Sequence, residues 1–328
     1  MKILFIGAHN DSCHYINDYM SDLLLHGLRN LYGNDVIDYP GSWHIYKGQD
    51  EKKEIYKNKF WGKGFTTSSL LEDYNEIDRS DIKNKIKNKY FNIIIYSSIR
   101  RNDSFLNDVL ESQNKFFFID GEDDDFLSKK HYEKGLYFKR ELNIKKEGIL
   151  PISFAIPKEK IVKNIQQKPL CLLSPLIPGK LNTYIYKNEN EYYKMYQNSI
   201  FALTYKKTGW DCLRHYEILM NGCIPLFLDL EKCPQQTMIN FPKGKLISLK
   251  KEYDKIFKYY NPFKIFKKKF LNLDNMKNFF TYGFYNKNVN NFLNKDQKVL
   301  DFKGELLSYT RNNLTTDNLA KYVLSKLN

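Results

Sequence analysis

Arg214 and Glu217 stand three residues apart in the segment that runs from Gly209 through Trp210, Asp211, Cys212 and Leu213 to Asn221, Gly222, Cys223, Ile224 and Pro225. Residues at that spacing share one face of a helix. Near a helix start, unpaired backbone N–H groups and the macrodipole favour an anion. A guanidinium in the first turn can add two parallel hydrogen bonds to a phosphate, and a carboxylate one turn later can accept from a vicinal diol such as a ribose. One short helix could thus hold both ends of a nucleotide diphosphate. The plainer reading of the same spacing is a helical ion pair, worth about 0.2–0.5 kcal/mol.

The elements that would present this pair are legible around it. Asp211 is a candidate N-cap, Cys212 to Met220 read as a short helix, and Asn221-Gly222 supplies the left-handed stop before the apolar strand Cys223 to Leu228. Arg-x-x-Glu followed by Gly-x-Ile-Pro resembles the donor-site segment of glycosyltransferases of the GT-B fold, most closely the exostosin-like kind. The resemblance implies that Arg214 contacts the diphosphate of a nucleotide sugar and Glu217 its ribose. It also implies two doubly wound Rossmann-like domains facing a cleft, with the acceptor on the first.

The rest of the chain has a matching rhythm. Lys2 to Gly7, Val36 to Tyr39, Phe91 to Tyr96 and Phe116 to Ile119 read as strands, the first followed by a helix over Ile16 to Leu31. Lys52 to Asn88 is highly charged and reads as a surface excursion with its own helix. The prolines of Leu150 to Pro157 suit an interdomain link, followed by a Lys-rich helix around Lys158 to Gln167. Strands at Leu170 to Ser174, Ser199 to Thr204 and Ile224 to Leu228, with a helix around Glu189 to Asn198, then repeat the alternation. We therefore expect an α/β protein with an acceptor-side Rossmann-like domain over 1–155 and a nucleotide-sugar-binding one over 156–328. Periodic aromatics between Lys250 and Asn290 predict packed helices. Leu314 to Asp317 caps a last helix, which in this architecture crosses back onto the first domain.

Ligands of open α/β sheets gather at the carboxyl ends of strands. Gly7-Ala8-His9-Asn10-Asp11 is one such end, and His9 or Asp11 could deprotonate an acceptor hydroxyl; Asp11 could equally cap the helix that follows. Asp120-Gly121-Glu122-Asp123-Asp124-Asp125 is another. Asp120 is a third candidate base, Glu122 and Asp123 could bind acceptor hydroxyls, and Asp123-x-Asp125 has the spacing with which a metal-dependent GT-A-like transferase holds a divalent cation. Lys206 and Lys207 precede Gly209 and could neutralise diphosphate. Lys180, in a Gly-Lys step, could add a cation, and Tyr205 could stack on a base. Tyr137 to Leu142 reads as a surface helix, although its basic pair, Lys139 and Arg140, could instead face the cleft. Trp43, with Trp61, offers aromatic faces of the kind that meet sugar rings.

The chain has 328 residues, a formal charge of +14, 25 Tyr and 23 Phe. The cores should be rich in aromatics. Its lysines are scattered, so a nucleic-acid partner ranks behind a solvated basic surface, as does a transferase glycosylating modified DNA. Five cysteines, with no C-x-x-C pair, argue against a disulfide framework and a structural zinc. The apolar start at Met1 to Ile6 is too short for a signal peptide, and no run is long enough to span a bilayer. The expectation is a cytoplasmic protein, or one peripheral to a membrane, that transfers a sugar from a nucleoside diphosphate, such as UDP, to a glycan or other hydroxyl acceptor. It should need no cofactor and no essential divalent metal.

Overall fold

The computed structural model describes residues 1–8, 16–72, 74–253 and 297–327. Strands β1 (Ile3–Ile6), β2 (Val36–Tyr39), β3 (Ile93–Tyr96), β4 (Phe116–Asp120), β5 (Leu136–Lys139) and β6 (Ile149–Pro151) form a six-stranded sheet. Its order is β2-β1-β3-β4-β5-β6, and every adjacent pair is parallel. β1 and β3 are continuous apolar runs because they are central and covered on both faces, and all eight of their residues are buried. Helices α1 (Tyr19–Tyr32), α3 (Ile82–Lys87), α4 (Leu106–Glu111) and α5 (Lys129–Tyr132) flank it, with α2 (Asp50–Ile55) outside. This is a Rossmann-like α/β layer.

A second parallel sheet, order β7-β8-β9, is built from β7 (Cys171–Leu173), β8 (Ser199–Thr204) and β9 (Ile224–Phe227). Helix α6 (Glu189–Gln197) joins β7 to β8, and α7 (Leu213–Met220) joins β8 to β9. After α8 (Lys243–Glu252) come α9 (Lys298–Asn313) and α10 (Thr316–Ser325). Lys303 of α9 is buried and donates to the Ser199 carbonyl at 3.0 Å, which ties that helix to the second sheet. The chain then crosses to the first sheet's helices. Ile156 and Thr315 form a parallel bridge, and α10 lies on α1 with His26 Nδ1 2.8 Å from Thr316 Oγ1. Gly27 permits that approach, since a Cβ there would stand 2.0 Å from the Thr316 carbonyl oxygen.

Three local expectations need correction. Tyr137 to Leu142 is not a surface helix: it contains most of β5, between β4 and β6, and continues into buried Arg140 and Glu141. Lys158 to Gln167 forms only a 3₁₀ turn over Lys158–Lys160. The excursion over 52–88 dips inward, with Thr66 and Thr67 fully buried. The expected helices between Lys250 and Asn290 fall outside the described residues, except that α8 reaches Glu252. No helix among the described residues is long and apolar enough to cross a membrane.

Candidate functional site

The carboxyl ends of both sheets meet at a cavity of about 680 Å³, within the range of small-molecule sites. Asn17, Arg101, Glu122 and Asp123 line it from the loops after β1, β3 and β4, while Gly179, Lys207, Cys212 and Arg214 line it from those after β7 and β8. Rings of Tyr19, Trp61, Phe65, Tyr184 and Tyr192 fill much of the wall.

The loop from β8 into α7 is held from the other half. Glu141, at the end of β5, accepts from the backbone N–H groups of Trp210 at 2.9 Å and Asp211 at 2.8 Å. Gly209 has to be glycine for this clamp, since a Cβ would lie 2.5 Å from Glu141 Oε1. Beside it, the buried Arg140 guanidinium donates to the Asp211 carbonyl, to Asp123 and, at 2.8 Å, to the Gly121 carbonyl, and stacks over Phe154. The expected N-cap is displaced by this arrangement. Asp211 is buried with Oδ2 accepting from Phe154 N–H at 2.8 Å and Oδ1 from the Tyr216 hydroxyl at 2.6 Å. Cys212 takes the N-cap position and makes no side-chain cap bond, so the α7 start faces the cavity without a side-chain acceptor. At the other end Gly222, at φ 64°, makes the left-handed stop as read from sequence.

Burial pushes the Asp211 carboxyl up to about 7, against the pull of Arg140 and of its hydrogen bonds. The unfolded group titrates near 3.9. The native state therefore holds an extra proton between about pH 4 and pH 7, and this group's contribution to stability declines as pH rises through that window, by at most about 1.4 kcal/mol per unit. Glu141 is raised by burial in the same sense. Asp211→Asn can keep both bonds, its carbonyl accepting from Phe154 and its amide donating to Tyr216. Urea unfolding at pH 5, 6 and 7 should show a flatter profile for that variant than for wild type; parallel profiles would show that Asp211 does not titrate in this window.

Arg214 lines the cavity, and its Nε is buried without a hydrogen-bond partner. Its guanidinium carbon lies 5.3 Å from the Tyr184 ring centroid. The sequence suggests a helical pair, but Glu217 bonds elsewhere: Oε1 accepts from the Thr66 hydroxyl at 2.6 Å and Oε2 from the Tyr192 hydroxyl at 2.7 Å. Burial raises the Glu217 carboxyl despite those two donors. Lys207 sits at the mouth, its ammonium depressed by lost hydration and then by the nearby Arg214 charge. His215, which follows Arg214, is a scaffold residue: Nδ1 lies 2.8 Å from Thr204 Oγ1 and Nε2 2.9 Å from the Trp210 carbonyl. Burial pushes it down to about 3, so the ring is neutral.

The structure brings together Arg214, Glu217, Gly209, Lys207, Glu122 and Asp123 around the cavity. Other candidates sit elsewhere. Lys206 lies over the Trp210 ring, Tyr205 donates to the Pro178 carbonyl at 2.6 Å, and Lys180 is half-buried off the lining. Trp43 packs against Tyr56 and Phe60 under Lys52 rather than at the mouth, where Trp61 stands instead. Asp120 is buried off the cavity lining, 3.0 Å from Lys139 Nζ and 2.6 Å from the Tyr137 hydroxyl. His9 and Asp11 lie outside the described residues. Glu122 is held bidentately by Arg101, which also pairs with Asp18. Asp123 is paired with Arg140, and Asp125 accepts from Asn143 at 2.7 Å.

Arg101 and Thr66 are not singled out by sequence, and no local spacing marks them; Arg140, one of the basic pair read as able to face the cleft, does line the cavity. The one signal on that wall is Trp61-Gly62-Lys63-Gly64-Phe65, an aromatic pair spaced by glycines in a charged stretch. No protein-family model matches the chain, and no curated protein matches it by sequence.

Proposed function

We propose that this chain is a glycosyltransferase of GT-B architecture that moves a sugar from a nucleoside diphosphate to an acceptor hydroxyl. The observation that carries the reading is the Arg214 guanidinium, which is permanently charged, with its Nε buried and unpartnered in a cavity between two parallel sheets. A buried charge that forms no close ion pair is costly unless a ligand supplies one. The uncapped start of α7 and Lys207 add to the same positive locus, which suits a diphosphate. The crossing of α10 onto α1 supports the two-lobed reading.

In this scheme the diphosphate lies at the start of α7, and each Glu217 oxygen keeps a further lone pair for a ribose hydroxyl. The acceptor oxygen attacks the anomeric carbon and gives its proton to a base, for which His9 and Asp11 are the candidates. The bond to the diphosphate breaks, and the charge that develops on the leaving group is stabilised by Arg214, Lys207 and the helix N–H groups.

Thermal-shift assays with UDP, GDP, ADP and their sugars, with and without chelator, test the reading. A melting temperature that climbs with UDP or another diphosphate and is indifferent to chelator is the expected result. Stabilisation only in the presence of a divalent cation would favour the GT-A-like alternative. If no diphosphate stabilises the protein while duplex DNA binds it with steep salt dependence, the basic-protein alternative replaces this one.

A further inference from the structure

The first half reaches the donor helix through Thr66. This residue is fully buried and has φ 73°, a left-handed conformation that β-branched residues avoid. Such strain persists only where the surroundings over-determine it. Here the determinants belong to the second half. The Thr66 N–H donates to Glu189 Oε1 at 2.7 Å, and its Oγ1 lies 2.6 Å from both Glu217 Oε1 and the Tyr193 hydroxyl. An ionised carboxylate only accepts, so the Thr66 hydroxyl proton points at Glu217.

The residues just before Thr66 form a wall of the cavity. Trp61, Gly62, Lys63 and Phe65 all line it. Asn17 holds the backbone of Trp61 in both directions, and Lys63, also at positive φ, donates to the Tyr186 carbonyl at 2.6 Å. Phe65 packs on Tyr192, the second donor to Glu217. The segment from Trp61 to Thr66 is thus a strap from the first half, fastened beside the carboxylate that stands one turn after Arg214.

We infer that Thr66 is a positioning residue that orients Glu217 for the donor and, through the same bond, registers the Trp61 wall against the donor helix. The inference rests on the donor-site reading for its first part only. The fastening itself is independent of any ligand. Occupancy of the donor side and the shape of the opposite wall are then mechanically linked, because one hydroxyl serves both.

The titratable and charged groups facing Glu217 are Tyr19 on α1, Glu189, Tyr192, Tyr193 and Tyr196 on α6, Lys207 in the loop before α7, and Arg214 on its own helix. The bonds from Thr66 and Tyr192 lower its pKa against the upward push of burial. Removing the Thr66 hydroxyl therefore lets the Glu217 pKa climb, and the acid limb of nucleotide binding should move to higher pH.

The experiment uses the full chain with Thr66→Val, Thr66→Ser, Glu217→Gln and the double variant Thr66→Val/Glu217→Gln. Without ligand, the melting temperatures of a double-mutant cycle should be non-additive, since both single changes break one bond. Additive losses overturn the fastening. With UDP titrated by calorimetry across pH 5 to 8, Thr66→Val should weaken binding by about tenfold and shift the acid limb upward, while Thr66→Ser stays within about twofold of wild type. Unchanged UDP affinity and pH profile in Thr66→Val, with coupling still seen in the cycle, would overturn the positioning role and leave a structural tie. If wild-type protein binds no nucleoside diphosphate, the donor-site reading and the donor half of this inference fail together, and the ligand-free cycle alone judges the fastening.

Discussion

Arg214→Ala should weaken UDP binding by about 10- to 100-fold while leaving the protein as stable as wild type to within about 1 kcal/mol. The binding estimate follows from the loss of one or more charge-assisted hydrogen bonds to phosphate, each worth about 1.5–3 kcal/mol. The stability estimate follows from the partners Arg214 lacks. Its Nε is buried without an acceptor, and its carboxylate neighbour one turn on bonds to Thr66 and Tyr192. Truncation forfeits the contact with the Tyr184 face but also removes a buried charge whose Nε has no hydrogen-bond partner, and these terms oppose each other. Arg214→Lys keeps the charge without the planar fork and should recover only part of the affinity. Uridine, which has no phosphate, should bind wild type and Arg214→Ala alike. Calorimetric titration of both ligands against the three proteins settles the matter: an unchanged UDP affinity in Arg214→Ala removes the residue from the site. A large loss of stability in that variant would show instead that the guanidinium has a partner in the fold.

The contrast between Arg214 and the clamp around Asp211 explains how far the sequence could be read. Helix α7, its Gly222 stop and the strand after it were visible because helix stops and apolar strands are local signals. The central strands were visible because burial on both faces demands continuous apolar runs. β5 was not, because it ends at Lys139 and runs straight into Arg140 and Glu141, charges that read as the exposed side of a surface helix. They are buried because Asp120, Asp123, the Gly121 carbonyl and the backbone N–H groups of Trp210 and Asp211 satisfy them. Those partners lie up to 70 residues away, beyond the reach of any periodicity argument. Asp211 was misassigned for a related reason. Its carboxylate is an N-cap by type, but the chain returning at Phe154 offers a buried N–H that only a tertiary structure reveals. Thr66 was invisible because nothing in a charged excursion distinguishes a threonine that turns inward.

The same logic separates scaffold from catalysis at Asp120, where the sequence suggested a base. Asp120→Ala should destabilise the protein by about 3–5 kcal/mol, the usual cost of stranding one member of a buried ion pair. Lys139 Nζ is fully buried 3.0 Å from Asp120 and, among the described residues, is left with Asp124, at 3.5 Å and itself half exposed, once that carboxylate is gone. The Tyr137 hydroxyl, which donates to Asp120 at 2.6 Å, loses its acceptor as well. Replacing both charges removes the penalty at its source, since a buried pair exchanged for apolar side chains of similar volume is often neutral or stabilising. Asp120→Ala/Lys139→Met should therefore regain most of the lost stability, whereas Lys139→Met alone leaves Asp120 with Tyr137, the Glu122 N–H and a distant Arg100 and should fall between. Urea unfolding of the four proteins reads this directly. A base would be told apart by turnover: Asp120→Ala would lose it, and the lysine substitution would restore stability but no activity. Turnover regained in Asp120→Ala/Lys139→Met is the outcome that only a structural role can produce, because methionine accepts no proton from an acceptor hydroxyl.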